Sequence, residues 1–176
     1  MNWSLSQIAA AVNGRLVGDD LVMEGVSTDT RAIAKGALFI ALAGERFDAH
    51  DFLEQAVAAG AGALLVADAG KLPAGVSAVV VDDTRLALGR LAAAWRARFA
   101  LPVIAVTGSN GKTTTKEMIA AILKVAHGAA VLSTRGNLNN DIGLPLTLLG
   151  LSAAHRAAAR RRRGATAQPP RLHRRR

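Results

Sequence analysis

The run PVIAVTGSNGKTTTKEM, residues 102–118, constrains this chain more than any other stretch. Val103 to Val106 read as a buried strand opened by Pro102. Thr107-Gly108-Ser109-Asn110-Gly111 reads as a turn, and Lys112-Thr113-Thr114 opens a helix. Strand, glycine turn and helix in that order begin a parallel α/β sheet. The two glycines let the backbone come close to a ligand with its N–H groups pointing inward. A helix start adds unpaired N–H groups and the positive end of a dipole. Lys112 supplies a mobile positive charge for terminal phosphates, and Thr113 a hydroxyl suited to Mg²⁺. The usual phosphate-loop pattern G-x-x-x-x-G-K-[ST] wants glycine where Val106 stands. A glycine turn alone would need only a tight bend. The lysine, the threonine and the flanking elements together point to a bound phosphate.

The rest of the chain reads as more α/β structure. Ser4-Leu5-Ser6-Gln7 is a capping box; Leu5, Ile8, Ala9 and Val12 follow at helical spacing, with Gly14 as the stop. The runs LVMEGV, ALFIAL, GALLVA and AVVV are strand-length, and DFLEQAVAAG is a helix closed by Gly60. TRLALGRLAAAWRARF is a helix with Thr84 as cap and Leu88, Leu91, Ala92 and Trp95 as its apolar face. AAVLST is a further strand. Trp3 and Trp95 are expected to pack in the core. The expected division is residues 1–83, a connecting helix at 84–100, a second unit at 101–157 and a tail at 158–176.

Charge separates that tail from the body. The net charge is +9, and nine of the 22 basic residues lie in residues 152–176, which hold no Asp, Glu or Lys. The other 13 basic residues balance 13 acidic ones, so the body is neutral. From about Ala157 the sequence AAARRRRGATAQPPRLHRRR has no amphipathic period and is expected to be disordered. A tail that binds nucleic acid or anionic surfaces is the competing reading, set below a merely solvated charge run. With 51% hydrophobic residues the chain can build a core, and with no cysteine it has neither disulfides nor thiolate metal sites. The N-terminus lacks the basic start and apolar run of a secretory signal. No stretch approaches 18 apolar residues. A cytoplasmic monomer is expected.

Three ordered blocks then resemble one family. TGSNGKTTTKEM is similar to the ATP loop of the Mur ligases, typically TGTNGKT, which often lacks the first glycine. STRGNLNNDIGLPLTLL, residues 133–149, resembles the N-x-N-N-x-I-G-x-P-x-T-L-L segment of the MurF branch. STDTR, residues 27–31, and GALFIALAGERFDAHDF, residues 36–52, resemble the N-terminal domain that holds the UDP-sugar end of the substrate. Ala49 departs from a common Asp-Gly-His pattern. The resemblance covers about residues 1–157. It implies an α/β fold with a small N-terminal substrate domain, then the start of a P-loop-type ATPase domain.

The resemblance also implies a chemistry. Mur ligases phosphorylate a carboxylate with ATP, an amine attacks the acyl phosphate, and phosphate leaves as the peptide bond forms. In the MurF branch the substrates are UDP-N-acetylmuramoyl-tripeptide and D-Ala-D-Ala. By motif match Gly108, Ser109, Asn110, Gly111, Lys112, Thr113 and Thr114 would hold ATP; Lys112 would be catalytic and Thr113 would ligate Mg²⁺. Ser27, Thr28, Arg31, Gly44, Arg46, Asp48 and His50 are candidates for the UDP-sugar, because hydroxyls and arginine suit a diphosphate. Against this, Asp29 and Arg31 could form a local turn with a surface ion pair, and His50 could merely precede a helix. Asn137, Asn139 and Asn140 could bind substrate or cap a helix near Asp141. A sister ligase adding the third amino acid is the alternative, which the NLNNDIGLPLTLL block argues against.

The family's next segment should run from LGLSAAHRAA into a strand and a Mg²⁺-binding Glu. Here Arg-rich sequence follows instead. That Glu, the later catalytic lysine and histidine and the C-terminal domain have no counterpart. Frameshift product from about Ala158 is the expectation, testable on the DNA at codons 150–165. The chain is then expected to be inactive, at most a nucleotide- and UDP-sugar-binding fragment, with a frayed ATPase portion.

Overall fold

A computed structural model describes residues 2–44, 47–134 and 140–161. The chain opens with β1 (Trp3–Ser4), which runs straight into α1 (Leu5–Val12). The capping box is present. The Ser4 hydroxyl accepts from Gln7 N, and Gln7 Oε1 accepts from Ser4 N. Leu5, Ile8, Ala9 and Val12 form the buried face, as their spacing requires. Gly14 does not end this helix. Asn13 does, at φ 58°, because its short amide side chain tolerates the left-handed region. Gly14 is needed for room: a Cβ there would stand 2.8 Å from Val79 Cγ1 and 2.9 Å from the Val80 carbonyl.

Next come β2 (Arg15–Val17), β3 (Val22–Met23), β4 (Val26–Ser27), β5 (Leu38–Ile40), α2 (Leu53–Ala58), β6 (Ala63–Val66) and β7 (Ala78–Val80). Five of these strands form one sheet in the order β2-β7-β6-β5-β4, parallel throughout except where β2 meets β7. β5 and β6 are central and fully buried, which explains their unbroken apolar sequence. The run LVMEGV does not make one strand. It splits at Glu24-Gly25, so that β3 pairs antiparallel with β1 while β4 pairs parallel with β5.

The long helix α3 (Thr84–Ala97) starts from Asp83 rather than Thr84. The Asp83 carboxylate accepts from Arg85 N and Leu86 N, a stronger cap than a hydroxyl, and Thr84 is buried inside the first turn. Ala87, Leu88, Leu91, Ala92 and Trp95 face a core that also holds α1, β5 and β6. Leu101, Leu149, Leu151 and Ala158 of the second half join the same core, so α3 is a wall shared by both halves. Trp95 meets Trp3 edge-on at 5.5 Å and donates from Nε1 to the Leu151 carbonyl at 3.0 Å. Arg98 lies over both rings. The tryptophans are structural, as expected.

The second half comprises β8 (Val103–Val106), α4 (Lys112–His127), β9 (Val131–Ser133), α5 (Gly143–Leu149) and β10 (Ala157–Arg161). Its sheet is parallel in the order β8-β10-β9. This corrects two expectations. The sheet has three strands, not two, and residues 158–161 are not disordered but form most of its central strand. Ala157, Ala158 and Ala159 are small enough to be buried between the neighbours, and the ladders to β8 and β9 satisfy their backbone groups. Composition and charge describe side chains; here backbone pairing decided. The Arg-rich residues 162–176 lie outside the described residues. Among the described residues, no helix is long and apolar enough to cross a membrane.

Candidate functional site

The first group of site residues is the loop between β8 and α4. Gly108 has φ 144° and Gly111 φ 72°, both in the region that favours glycine. Gly111 stands at the start of α4 and provides no side-chain cap, and the first turn carries no acid. The first turn of a 16-residue helix therefore meets the loop without a side-chain cap. Lys112 folds back over it: Nζ donates to the Gly108 carbonyl and, at 2.8 Å, to the Ser109 carbonyl. Thr115 N donates to the Gly111 carbonyl, so regular helix geometry begins at once. Loop and helix start together are of the kind that takes an anion.

The second group lines a cavity of about 690 Å³. Thr28, Arg31 and Gly44 lie in its wall, as do Asp29, Thr30, Phe47, Phe52, Gln55, Arg85 and Ile142. Arg31 binds Asp29 in a fork, Nε to Oδ1 at 2.9 Å and Nη2 to Oδ2 at 2.7 Å. These side-chain bonds hold the Asp29 carboxyl down at about 2 and raise Arg31. The local ion pair considered from the sequence thus exists, and Arg31 still faces the cavity. Phe47 and Phe52 stack at 5.2 Å with 18° between their planes. Arg85, at the start of α3, pairs with Asp141 at 3.1 Å. Asp141 and Ile142 come just before α5, so the cavity draws on both halves of the chain.

Four predicted residues do other work. The Ser27 hydroxyl is buried and turns on its own loop, donating to the Asp29 carbonyl at 3.0 Å. His50 is buried with both nitrogens in use. Nδ1 meets Asp48 Oδ1 at 2.6 Å, and Nε2 accepts from Ala67 N at 2.9 Å. His50 therefore stands behind the cavity wall, tying the turn at Ala49–Phe52 to the end of β6. Asp48 caps that turn and pairs with Lys71; the backbone bond from His50 is the first cause that holds its carboxyl at about 2. Asn140 accepts from Gly143 N at 2.7 Å, so it serves the start of α5. Arg46, Asn137 and Asn139 lie outside the described residues.

Sequence reading missed Phe47, Phe52, Gln55, Arg85 and Ile142; the first three are near in the chain, and Arg85 and Ile142 join them only through the tertiary fold. It also passed over Lys116, whose spacing of four from Lys112 puts both on one helix face.

Comparison with known proteins bears on these same residues. The family profile described as the Mur ligase family catalytic domain matches residues 22–96, and that described as the Mur ligase middle domain matches residues 106–159. The chain belongs to the Mur ligase family. This Mur ligase chain is 53% identical over 149 residues to the UDP-N-acetylmuramoyl-tripeptide–D-alanyl-D-alanine ligase of Escherichia coli K12, covering 85% of this chain and 32% of that one. It is 37% identical to a UDP-N-acetylmuramoyl-L-alanyl-D-glutamate–2,6-diaminopimelate ligase of Geobacter metallireducens, over 80% of this chain and 29% of that one. A crystal structure of MurF from Acinetobacter baumannii superposes with a TM-score of 0.84 at 43% identity, covering 93% of this chain and 36% of that one. MurF ligase from Thermotoga maritima, solved in complex with ADP, gives 0.70 at 32% identity, over 79% of this chain and 32% of that one. The Mur ligase chain spans about a third of the length of the curated relatives it matches.

Proposed function

We propose that this chain carries the nucleotide loop and the UDP-sugar cavity of an ATP-dependent ligase that joins D-Ala-D-Ala to UDP-N-acetylmuramoyl-tripeptide in the cytoplasm. The observation that carries the reading is the uncapped start of α4 behind two left-handed glycines, with Lys112 beside it. A polyphosphate fits there: the amides of residues 112–114 and the Lys112 ammonium would hold it, and the Thr113 hydroxyl would take Mg²⁺. When bound, MgATP supplies a phosphoryl group that activates a carboxylate. The chain's own part is electrostatic. Lys112 and the helix amides offset the negative charge where two anions must meet.

The cavity suits the other substrate. Arg31 and Arg85 offer guanidinium groups to a diphosphate, and Phe47 and Phe52 offer apolar faces to a ring. The higher identity to the D-alanyl-D-alanine ligases favours that branch over the ligase adding the third amino acid. Titration of the chain with MgATP and with UDP-N-acetylmuramoyl-tripeptide tests the reading. Lys112→Ala should weaken MgATP by about tenfold or more and leave the UDP substrate unchanged. Equal nucleotide affinity in parent and variant would overturn the assignment. A ligation assay on residues 1–176 separates a ligase from a binding fragment, since turnover by this chain alone excludes the fragment.

A further inference from the structure

We infer that Lys116 is a positioning residue for the phosphate loop, holding α4 to the end of β9 through its buried ammonium. The inference rests on reading residues 107–114 as the nucleotide loop.

Lys116 is 2% exposed. Lysine is almost never buried to that degree without partners, because its charge loses water and its long stem loses freedom. Its partners are specific. Nζ donates to the Thr134 carbonyl at 2.7 Å and pairs with Glu117 Oε1 at 2.5 Å. Thr134 N in turn donates to the Ala159 carbonyl at 3.2 Å. One polar chain therefore links α4, the end of β9 and the central strand β10.

The place of this link matters. β8, β10 and β9 are parallel, so the ends of β8 and β9 lie at one edge of the sheet. That edge is where α/β sheets bind ligands. The phosphate loop leaves it after β8, and the chain leaves it after Thr134 on its way to Asn140. Lys112 stands one turn before Lys116 on the same face of α4. Apart from Ala120, Lys116 is the only buried residue of α4. Little apolar packing fixes this helix, so the ammonium anchor sets how its first turn meets the sheet.

A buried ion is a poor way to gain stability, since an aliphatic side chain of similar volume does as well or better. Its directed bond to a carbonyl does what an aliphatic cannot: it fixes one rotation of the helix. Of the two, only a fixed rotation matters to a loop that must present amides to a phosphate.

The test uses the 176-residue chain, a fluorescent ATP analogue with Mg²⁺, and thermal melts on each variant. Lys116→Met is expected to keep the parent's melting midpoint to within a few degrees and to bind the analogue about tenfold more weakly. Lys116→Arg should recover affinity to within about threefold of the parent, and the exposed Lys124→Met should match the parent. If the Met variant fails to fold, Lys116→Leu carries the same test with the donor likewise removed. Parent-like affinity in a folded Met or Leu variant overturns the inference. So does a fall in melting midpoint with unchanged affinity per folded molecule, which marks a purely stabilising role. Lys112→Ala separates the two readings. If it loses affinity while Lys116→Met does not, only this inference falls. If the parent does not bind the analogue, the nucleotide reading falls and takes the inference with it.

Discussion

The two halves of the chain meet their polar needs in different ways. In the half built on the five-stranded sheet, most helix and turn starts are closed by side chains, α2 excepted. Ser4 and Asp83 cap α1 and α3, Asp29, Asp48 and Asp68 cap short turns, and His50 uses both ring nitrogens. In the half built on β8, β9 and β10, the longest helix starts without a side-chain cap, and Met118, Ile122 and Val125 stand exposed along it. The first half is organised for its own stability. The second leaves the start of α4 without a side-chain cap, so on the proposed reading a bound anion would add to its stability. On the proposed reading the difference marks where a ligand would act, because a helix start without a side-chain cap favours something negative.

The contrast breaks first on apolar burial. Leu65→Ala, at a fully buried site in β6, should cost about 2–5 kcal/mol, whereas Ile122→Ala should change stability by no more than about 0.5 kcal/mol. Denaturant unfolding of both variants checks this, and a large loss at Ile122 would mean the exposed face of α4 is not idle. Capping comes next. Asp83→Ala should cost about 1 kcal/mol, because two amides lose their acceptor at the start of α3.

Thr134 sharpens the comparison in the other direction. Its hydroxyl is buried and has no hydrogen-bond partner among the described residues. Thr134→Val keeps the shape and the carbonyl that Lys116 uses, so it should raise stability by about 1 kcal/mol. A loss on chemical denaturation would reveal a partner for that hydroxyl.

The smallest effect is acid titration of Asp48. Its folded carboxyl sits at about 2, below the ordinary value near 4, so its contribution is full above about pH 4 and is lost as pH falls towards 2. Asn can still cap the turn. Melting midpoints of parent and Asp48→Asn should therefore converge over that window. A difference that stays constant below pH 3 would assign the stabilisation to something other than the charge.

Much of the candidate site was legible because it is local. Glycine at two positive-φ positions, a lysine and a threonine after them, and a strand before them are neighbours in the chain, so their geometry follows from short-range rules. The capping box at Ser4 was legible for the same reason. The cavity was not. Phe47, Arg85 and Ile142 meet through the order β2-β7-β6-β5-β4 and through α3, and no local pattern encodes that meeting. His50 looked like a ligand by residue type; burial against Ala67 made it a brace.

What the sequence by itself determined is the glycine loop with its lysine and the helices with their apolar faces, since both depend on residues a few positions apart. Tertiary structure alone decided two further things. It made Ala157–Arg161 a central strand, because two parallel edges offered backbone partners that outweighed an arginine run. It also turned Lys116 from one more charge on a helix into a buried anchor, because the carbonyl that receives it comes from another strand.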